Sequence, residues 1–89
     1  MQISDAESVV MQALWQSSPL AAEDVFAAVA AGQGWQEATV KTLLNRLLKK
    51  GAISAERDGR RFLYSPVLQR EQWLRQESED LVDRLFGGR

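Results

Sequence analysis

The sequence contains neither cysteine nor histidine, and it has no long apolar run. Without cysteine, a disulfide framework and a thiolate metal site are both excluded. Without histidine, the commonest general base and the commonest transition-metal ligand are missing. No arrangement of Asp, Glu, Lys or Ser suggests a catalytic site, so we predict no enzyme, no metal site and no cofactor. The apolar runs are too short for a signal peptide or a membrane span, which favours a cytoplasmic protein.

Positive charge is missing from the first 37 residues, which contain five acids and no base. Residues 38–61 contain seven bases and two acids, whereas the whole chain of 89 residues has a net charge of −1. Salt screens the field of a surface charge within about 10 Å, so a basic segment attracts phosphates whatever the total charge is. This distribution favours a nucleic-acid partner for residues 38–61.

Two helices are predicted before the basic segment. Ser4 and Glu7 form a capping-box pattern, in which each residue satisfies a backbone N–H of the other, and the helix extends to about Gln16. Ser17-Ser18-Pro19 ends this helix. A second helix begins near Ala22 and ends at the glycines within residues 32–34.

A third helix is predicted from about Glu37 to Lys50, with Gly51 as its stop. At 100° per residue, its apolar residues fall in one arc of about 140°, which predicts a core-facing side. A separate arc of about 140° presents cations, an amide and a hydroxyl, and no acid. The residues of this second arc are Lys41, Thr42, Asn45, Arg46 and Lys49, with Thr39 just beyond its edge.

Two alternating runs flank Asp58-Gly59, which is a strong signal for a hairpin with a type I′ turn. A two-residue loop at this position pairs Arg57 with Arg60, Ala55 with Phe62, and Ile53 with Tyr64. The apolar pairs then cover the core, and the arginines lie at the tip. Glu56 is expected to pair with Arg61 across the strands.

A last helix is predicted from about Leu68 to Phe86. We expect its apolar residues to form a dimer interface, namely Trp73, Leu74, Leu81, Val82, Leu85 and Phe86. The chain is accordingly divided into residues 1–66, which contain the basic helix and hairpin, and residues 67–89, which contain the last helix.

The element order is helix, helix, helix, basic hairpin, helix, which predicts a mainly α fold with a small antiparallel β hairpin. This is the order of a winged helix-turn-helix, here followed by a dimerisation helix. In that fold the third helix lies in the major groove and the hairpin touches the flanking backbone. The candidate DNA contacts are Lys41, Thr42, Asn45, Arg46 and Lys49 of the helix, and Arg57, Arg60 and Arg61 of the hairpin.

Two other interpretations fit the same residues. An amphipathic helix with a basic outer face is common and often serves only solubility. A winged helix can also act as a protein–protein adaptor that does not bind DNA. Strong salt dependence and preference for one duplex sequence distinguish a DNA reader from an adaptor.

The chain resembles the BlaI/MecI/CopY, or penicillinase-repressor, family in several segments. Its opening, residues 3–15, is similar to the family's first helix. The string from Thr39 to Leu47 resembles the family's recognition helix, and the string from Gly59 to Pro66 resembles its wing. Residues 77–88 are similar to the start of its dimerisation region.

This resemblance implies a homodimer that binds a palindromic operator and represses nearby genes, in some members under control of a membrane-bound sensor protease. It places Thr39, Lys41, Thr42 and Arg46 at the DNA, with the wing arginines beside them. Family members continue past Gly87-Gly88 with further helices that contain the cleavage site, whereas this sequence ends at Arg89. The cysteine cluster of the copper-responsive branch is also missing, so metal sensing by that route has no support.

Overall fold

Residues 2–76 are described by the structure, a computed structural model. In chain order the elements are α1 (Asp5–Gln16), β1 (Leu20–Ala21), α2 (Ala22–Gln33), α3 (Glu37–Lys50), β2 (Ile53–Asp58) and β3 (Arg61–Pro66). Residues 70–76 are again helical. The predicted bounds of the first three helices are confirmed.

The capping box at the start of α1 is formed as predicted. The Ser4 N–H donates to Glu7 Oε1 at 2.9 Å, and the Glu7 N–H donates to Ser4 Oγ at 3.1 Å. Each bond satisfies a backbone donor that has no partner within the helix. The local sequence therefore determines where α1 begins.

The apolar side of α3 is the centre of the core. Val40, Leu43, Leu44 and Leu47 are buried there. They pack in one cluster with Val10, Met11 and Leu14 of α1, Val25 and Val29 of α2, Ala52, Ile53 and Leu68. Gly51 ends α3 at a φ of +77°, a left-handed conformation that costs glycine little. The polar side of α3 is consequently turned outward.

The hairpin forms, but its predicted register is wrong. Asp58 pairs with Arg61, Arg57 with Phe62, and Ala55 with Tyr64, so the two-residue loop is Gly59-Arg60. Gly59 has a φ of +65°, and no non-glycine residue of the described chain has a positive φ. A loop that begins at glycine fits a type II′ turn, whereas the predicted loop would force Asp58 into the left-handed region.

This correction moves both aromatic residues of β3. A shift of two residues leaves every side chain on its predicted face, because side chains alternate with a period of two. However, Phe62 now lies opposite Arg57 near the tip, and 49% of it is exposed. The predicted place of Phe62 opposite Ala55, over the core, is taken by Tyr64.

The three strands form an antiparallel sheet in the order β1-β3-β2. Leu20 pairs with Tyr64 and Ala21 with Leu63, so β1 attaches the start of α2 to the wing. Helices α2 and α3 with the β2–β3 hairpin form a winged helix-turn-helix, which confirms the predicted fold class except for its dimerisation helix, which stays a prediction.

The segment after the wing packs on the core through both backbone and side chains. The Val67 and Leu68 N–H groups donate to the Ala52 carbonyl at 2.8 and 2.9 Å. The Trp15 indole N–H donates to the Leu68 carbonyl at 2.9 Å, and the Trp15 and Trp73 ring centroids are 5.6 Å apart. These contacts hold residues 67–73 against α1.

Of the predicted dimer residues, Trp73 therefore packs within its own chain, and 40% of Leu74 is exposed. Leu81, Val82, Leu85 and Phe86 lie outside the described residues. Leu68 precedes the helical segment and is buried, so the helix begins slightly later than predicted. No helix in residues 2–76 is both long enough and apolar enough to span a bilayer.

Candidate nucleic-acid interface

The polar side of α3 is exposed along its length. All six predicted contact residues on this helix are exposed, from Thr39 and Lys41 at one end to Lys49 at the other. An acid beside this side was not predicted, because the arc of polar residues contains none. The Glu37 carboxylate lies 3.8 Å from Lys41 Nζ, at the i,i+4 spacing that the sequence itself contains.

The middle of this side contains groups suited to base edges. The Thr42 hydroxyl donates to the Ala38 carbonyl at 3.0 Å, so its proton is engaged within the helix. Its methyl group and its oxygen lone pairs remain available for contact. Asn45 and Arg46 are exposed beside it, and their planar amide and guanidinium groups match adenine and guanine edges, respectively.

A groove of about 280 Å³ separates the start of α3 from the wing. Lys41 lines it from α3, Arg60, Arg61 and Phe62 line it from the wing, and Glu23 lines it from α2. The cationic side of α3 is therefore neither buried nor turned away from the hairpin tip. Helix and wing form one continuous surface.

The three wing arginines have different surroundings. Arg57 Nε donates to the Gly59 carbonyl at 3.1 Å and so steadies the turn. Arg61 lies between two carboxylates, with Nη1 3.5 Å from Glu23 and Nε 3.6 Å from Asp58. Within residues 2–76, no carboxylate lies within salt-bridge distance of Arg60.

The predicted Glu56–Arg61 pair is wrong. In the observed register Glu56 faces Leu63, and Arg61 faces Asp58. Arg61 also reaches Glu23 of α2, a partner 38 positions away in the chain. Local spacing does not indicate that contact, because it depends on how the wing packs against α2.

A half-buried ion pair lies at the other end of α3, where the carboxylate is buried and the lysine is partly exposed. Lys50 Nζ donates to Glu7 Oε1 at 2.5 Å and to the Gln2 carbonyl at 2.9 Å. Burial by itself raises the pKa of Glu7. Hydrogen bonds from Lys50 and Ser4 lower it by more than burial raises it, so the pKa lies below the usual value. This pair joins the last residue of α3 to the first turn of α1.

Comparison with known proteins identifies relatives over nearly the whole chain. The family model described as penicillinase repressor matches residues 3–89. The penicillinase repressor of Bacillus licheniformis is 33% identical over 87 residues, which cover 98% of this chain and 68% of that protein.

Solved structures show the same arrangement of elements. The DNA-binding domain of the repressor BlaI has a TM-score of 0.73 at 37% identity, and the match covers 80% of this chain and 87% of that one. The monomeric form of Bacillus licheniformis BlaI, solved in complex with the blaP half-operator, has a TM-score of 0.70 at 36% identity. That match covers 81% of this chain and 88% of the BlaI chain.

Proposed function

The chain belongs to the penicillinase repressor family, and from this premise we propose that it is a transcriptional repressor that binds a specific operator in double-stranded DNA. The observation that carries the proposal is the continuous surface formed by the polar side of α3 and the wing. A relative with the same fold was solved on a half-operator, which supports a duplex as the partner of this surface.

In this proposal α3 lies in the major groove. Asn45 and Arg46 read base edges with their bidentate groups, and Thr42 contacts a thymine methyl group. Thr39, Lys41 and Lys49 contact phosphates and set the register of the helix on the duplex. Arg57, Arg60 and Arg61 contact the flanking backbone or minor groove from the wing.

The first experiment identifies the operator by genomic footprinting of the tagged protein and then measures its affinity by fluorescence anisotropy. Arg46→Ala is expected to lose about 1–3 kcal/mol of operator binding and to relax sequence preference. Lys41→Ala is expected to weaken binding to all duplexes and to reduce the salt slope by about 1. Arg70→Ala removes an exposed arginine outside this surface and is the matched control.

Binding of both variants at wild-type affinity would show that α3 does not lie at the DNA. An adaptor that does not bind DNA would show no salt dependence and no preference for one duplex.

We further propose that the protein acts as a homodimer on a palindromic operator. A two-fold protein places two recognition helices on half-sites about one helical turn apart. Residues 1–66 form the DNA-binding part in this proposal, and residues 67–89 contribute to the interface. Its proposed apolar residues are Trp73, Leu74, Leu81, Val82, Leu85 and Phe86.

Sedimentation equilibrium tests the homodimer, and hydroxyl-radical footprinting tests the symmetry of the operator. The double change Leu81→Arg and Leu85→Arg is expected to shift the protein to monomer and to weaken operator binding. Val67→Arg introduces an arginine at an apolar residue that is 53% exposed and is not among the six proposed interface residues, so it is the control. A double variant that still sediments as a dimer would contradict the assignment.

The signal that relieves repression is proposed to arrive through an upstream sensor protease, as the family resemblance implies. Because a bacterial operator lies in the cytoplasm, we place the protein's action there. Immunoblotting of the tagged protein before and after exposure of the cells to a β-lactam tests whether the repressor is cleaved. An unchanged protein band combined with derepressed target genes would exclude proteolysis as the signal.

A further inference from the structure

We propose that Glu23 and Glu37 restrain DNA affinity by pairing with two of the cations that face the duplex, an inference that rests on the proposed function. Each carboxylate lines the groove between α3 and the wing, and each lies within 4.0 Å of a cation in that groove. The two pairs are Glu23 with Arg61 and Glu37 with Lys41.

The charges of the groove support this inference. Lys41, Arg60 and Arg61 supply three positive charges, and Glu23 and Glu37 offset two of them. A phosphate that approaches Lys41 or Arg61 must compete with a carboxylate that already holds the cation. It also meets the repulsion of that carboxylate at short range, where salt screens least.

The two pairs are exposed, so a phosphate can replace the carboxylate as the partner of each cation. The side chains of Arg61 and Glu23 are 53% and 70% exposed, and those of Lys41 and Glu37 are 61% and 55% exposed. Exposed ion pairs contribute little to folding stability. Their main effect is therefore on the affinity for DNA, because each pair reduces the number of counterions that DNA binding releases.

The carboxylates lie apart from the groups assigned to base reading. Lys41 and Arg61 are assigned to the phosphate backbone, whereas Asn45 and Arg46 lie further along α3 and do not line the groove. The restraint should thus act equally on operator and random duplexes. The ratio of operator affinity to random-duplex affinity is then unchanged, and the restraint lowers the overall affinity for DNA.

The test measures the affinity of the full chain for operator and for a random duplex over a series of salt concentrations. Glu23→Gln and Glu37→Gln are each expected to raise affinity for both duplexes by about two- to fivefold. Each change is also expected to steepen the plot of log affinity against log salt by up to about 0.9. Thermal unfolding of every variant confirms that it is folded.

Asp24→Asn is the matched control, because Asp24 is an exposed acid in the same first turn of α2 and does not line the groove. It removes the same charge and the same favourable interaction with the helix N-terminus. Its effect on affinity is expected to be smaller than that of Glu23→Gln, with a smaller change in salt slope.

A second measurement places Glu23→Gln in an Arg61→Ala background. The gain in affinity is expected to shrink, because the cation that Glu23 held is no longer present. An equal gain in both backgrounds would overturn the pairing, and so would a gain no larger than that of Asp24→Asn. A gain confined to operator or to random duplex would also overturn it. If the wild-type chain binds neither duplex, the proposed function itself fails.

Discussion

Lys50 Nζ lies 2.5 Å from Glu7 Oε1 and ties the end of α3 to the first turn of α1. Only 2% of Glu7 is exposed, and its second oxygen, Oε2, is buried with no hydrogen-bond partner among residues 2–76. A buried carboxylate is stable only when its charge is compensated, so Glu7 depends on Lys50 and on the Ser4 cap. The pair therefore holds the end of α3 against the start of α1.

Lys50→Met is expected to destabilise the fold by about 2–4 kcal/mol, because it leaves the Glu7 charge buried with fewer partners. Urea unfolding monitored by circular dichroism gives the change in the free energy of unfolding. Lys49→Met alters the exposed neighbour and is the control, with an expected change within about 0.5 kcal/mol. Equal stability of the two variants would show that the Glu7–Lys50 pair contributes nothing.

The lowered pKa of Glu7 predicts a specific dependence of stability on pH. A carboxylate with a lowered pKa in the folded state stabilises the fold above its unfolded pKa, and this stabilisation is lost as the pH falls through the folded pKa. The stability difference between wild type and Glu7→Gln should thus shrink as the pH decreases below about 4.3, the usual glutamate value. Urea unfolding midpoints of both proteins between pH 6 and pH 3 measure this difference, and Asp5→Asn is the control. A difference that stays constant over this range would contradict the assignment.

Two glycine substitutions test the positive φ of Gly59. Gly59 has a φ of +65°, so Gly59→Ala is expected to destabilise the protein by about 1–2 kcal/mol. Gly32 lies within α2 with open space around an added Cβ, so Gly32→Ala is expected to stabilise it by about 0.5–1 kcal/mol. Thermal unfolding compares the two changes. The same sign for both would contradict the left-handed conformation of residue 59.

Arg60 should be the most effective of the wing arginines at the phosphate backbone. It occupies the second position of the turn, lines the groove, and has no carboxylate within salt-bridge distance in the part of the chain described. Arg60→Ala is expected to reduce the salt slope of DNA binding by about 0.9 and to weaken binding to all duplexes alike. Arg75→Ala, another exposed arginine, is the control. An unchanged slope would place the wing away from the duplex.

Phe62 is expected to contribute to binding and not to folding. It is 49% exposed and lines the groove between Lys41 and the wing arginines. Phe62→Ala should leave the free energy of unfolding within about 1 kcal/mol and weaken duplex binding several-fold, through lost contact with the sugar backbone. Tyr64→Ala provides the contrast, because Tyr64 packs against the core. Its main expected effect is on stability. Wild-type affinity of Phe62→Ala would exclude a role at the DNA.

The limits of sequence reasoning appear clearly at the wing. The Asp58-Gly59 pattern correctly predicts a hairpin, and the alternation correctly predicts which face each side chain occupies. The pattern does not determine the loop, because two turn types accept glycine at different loop positions. The choice depends on the whole ladder, including the pairing of β3 with β1.

The groove shows the same limit. The exposed cations of α3 follow from helical periodicity alone, and the Glu37–Lys41 pair could have been predicted from its i,i+4 spacing. The Glu23–Arg61 contact could not, since it joins α2 to β3 across 38 positions of sequence. The predicted partner of Arg61 is Glu56, whereas the observed carboxylates are Glu23 and Asp58.

The amino-acid sequence alone determined the three helices, their caps, the basic side of α3 and the order of elements that defines a winged helix. These features depend on interactions within a few residues, such as the Ser4–Glu7 box and the 3.6-residue period of α3. Only the tertiary structure decided the turn at Gly59, the pairing of Lys50 with Glu7, the packing of Trp73 on Trp15 and the contact of Arg61 with Glu23. Each of these joins residues whose proximity is set by packing of the core, and a local pattern contains no information on that distance.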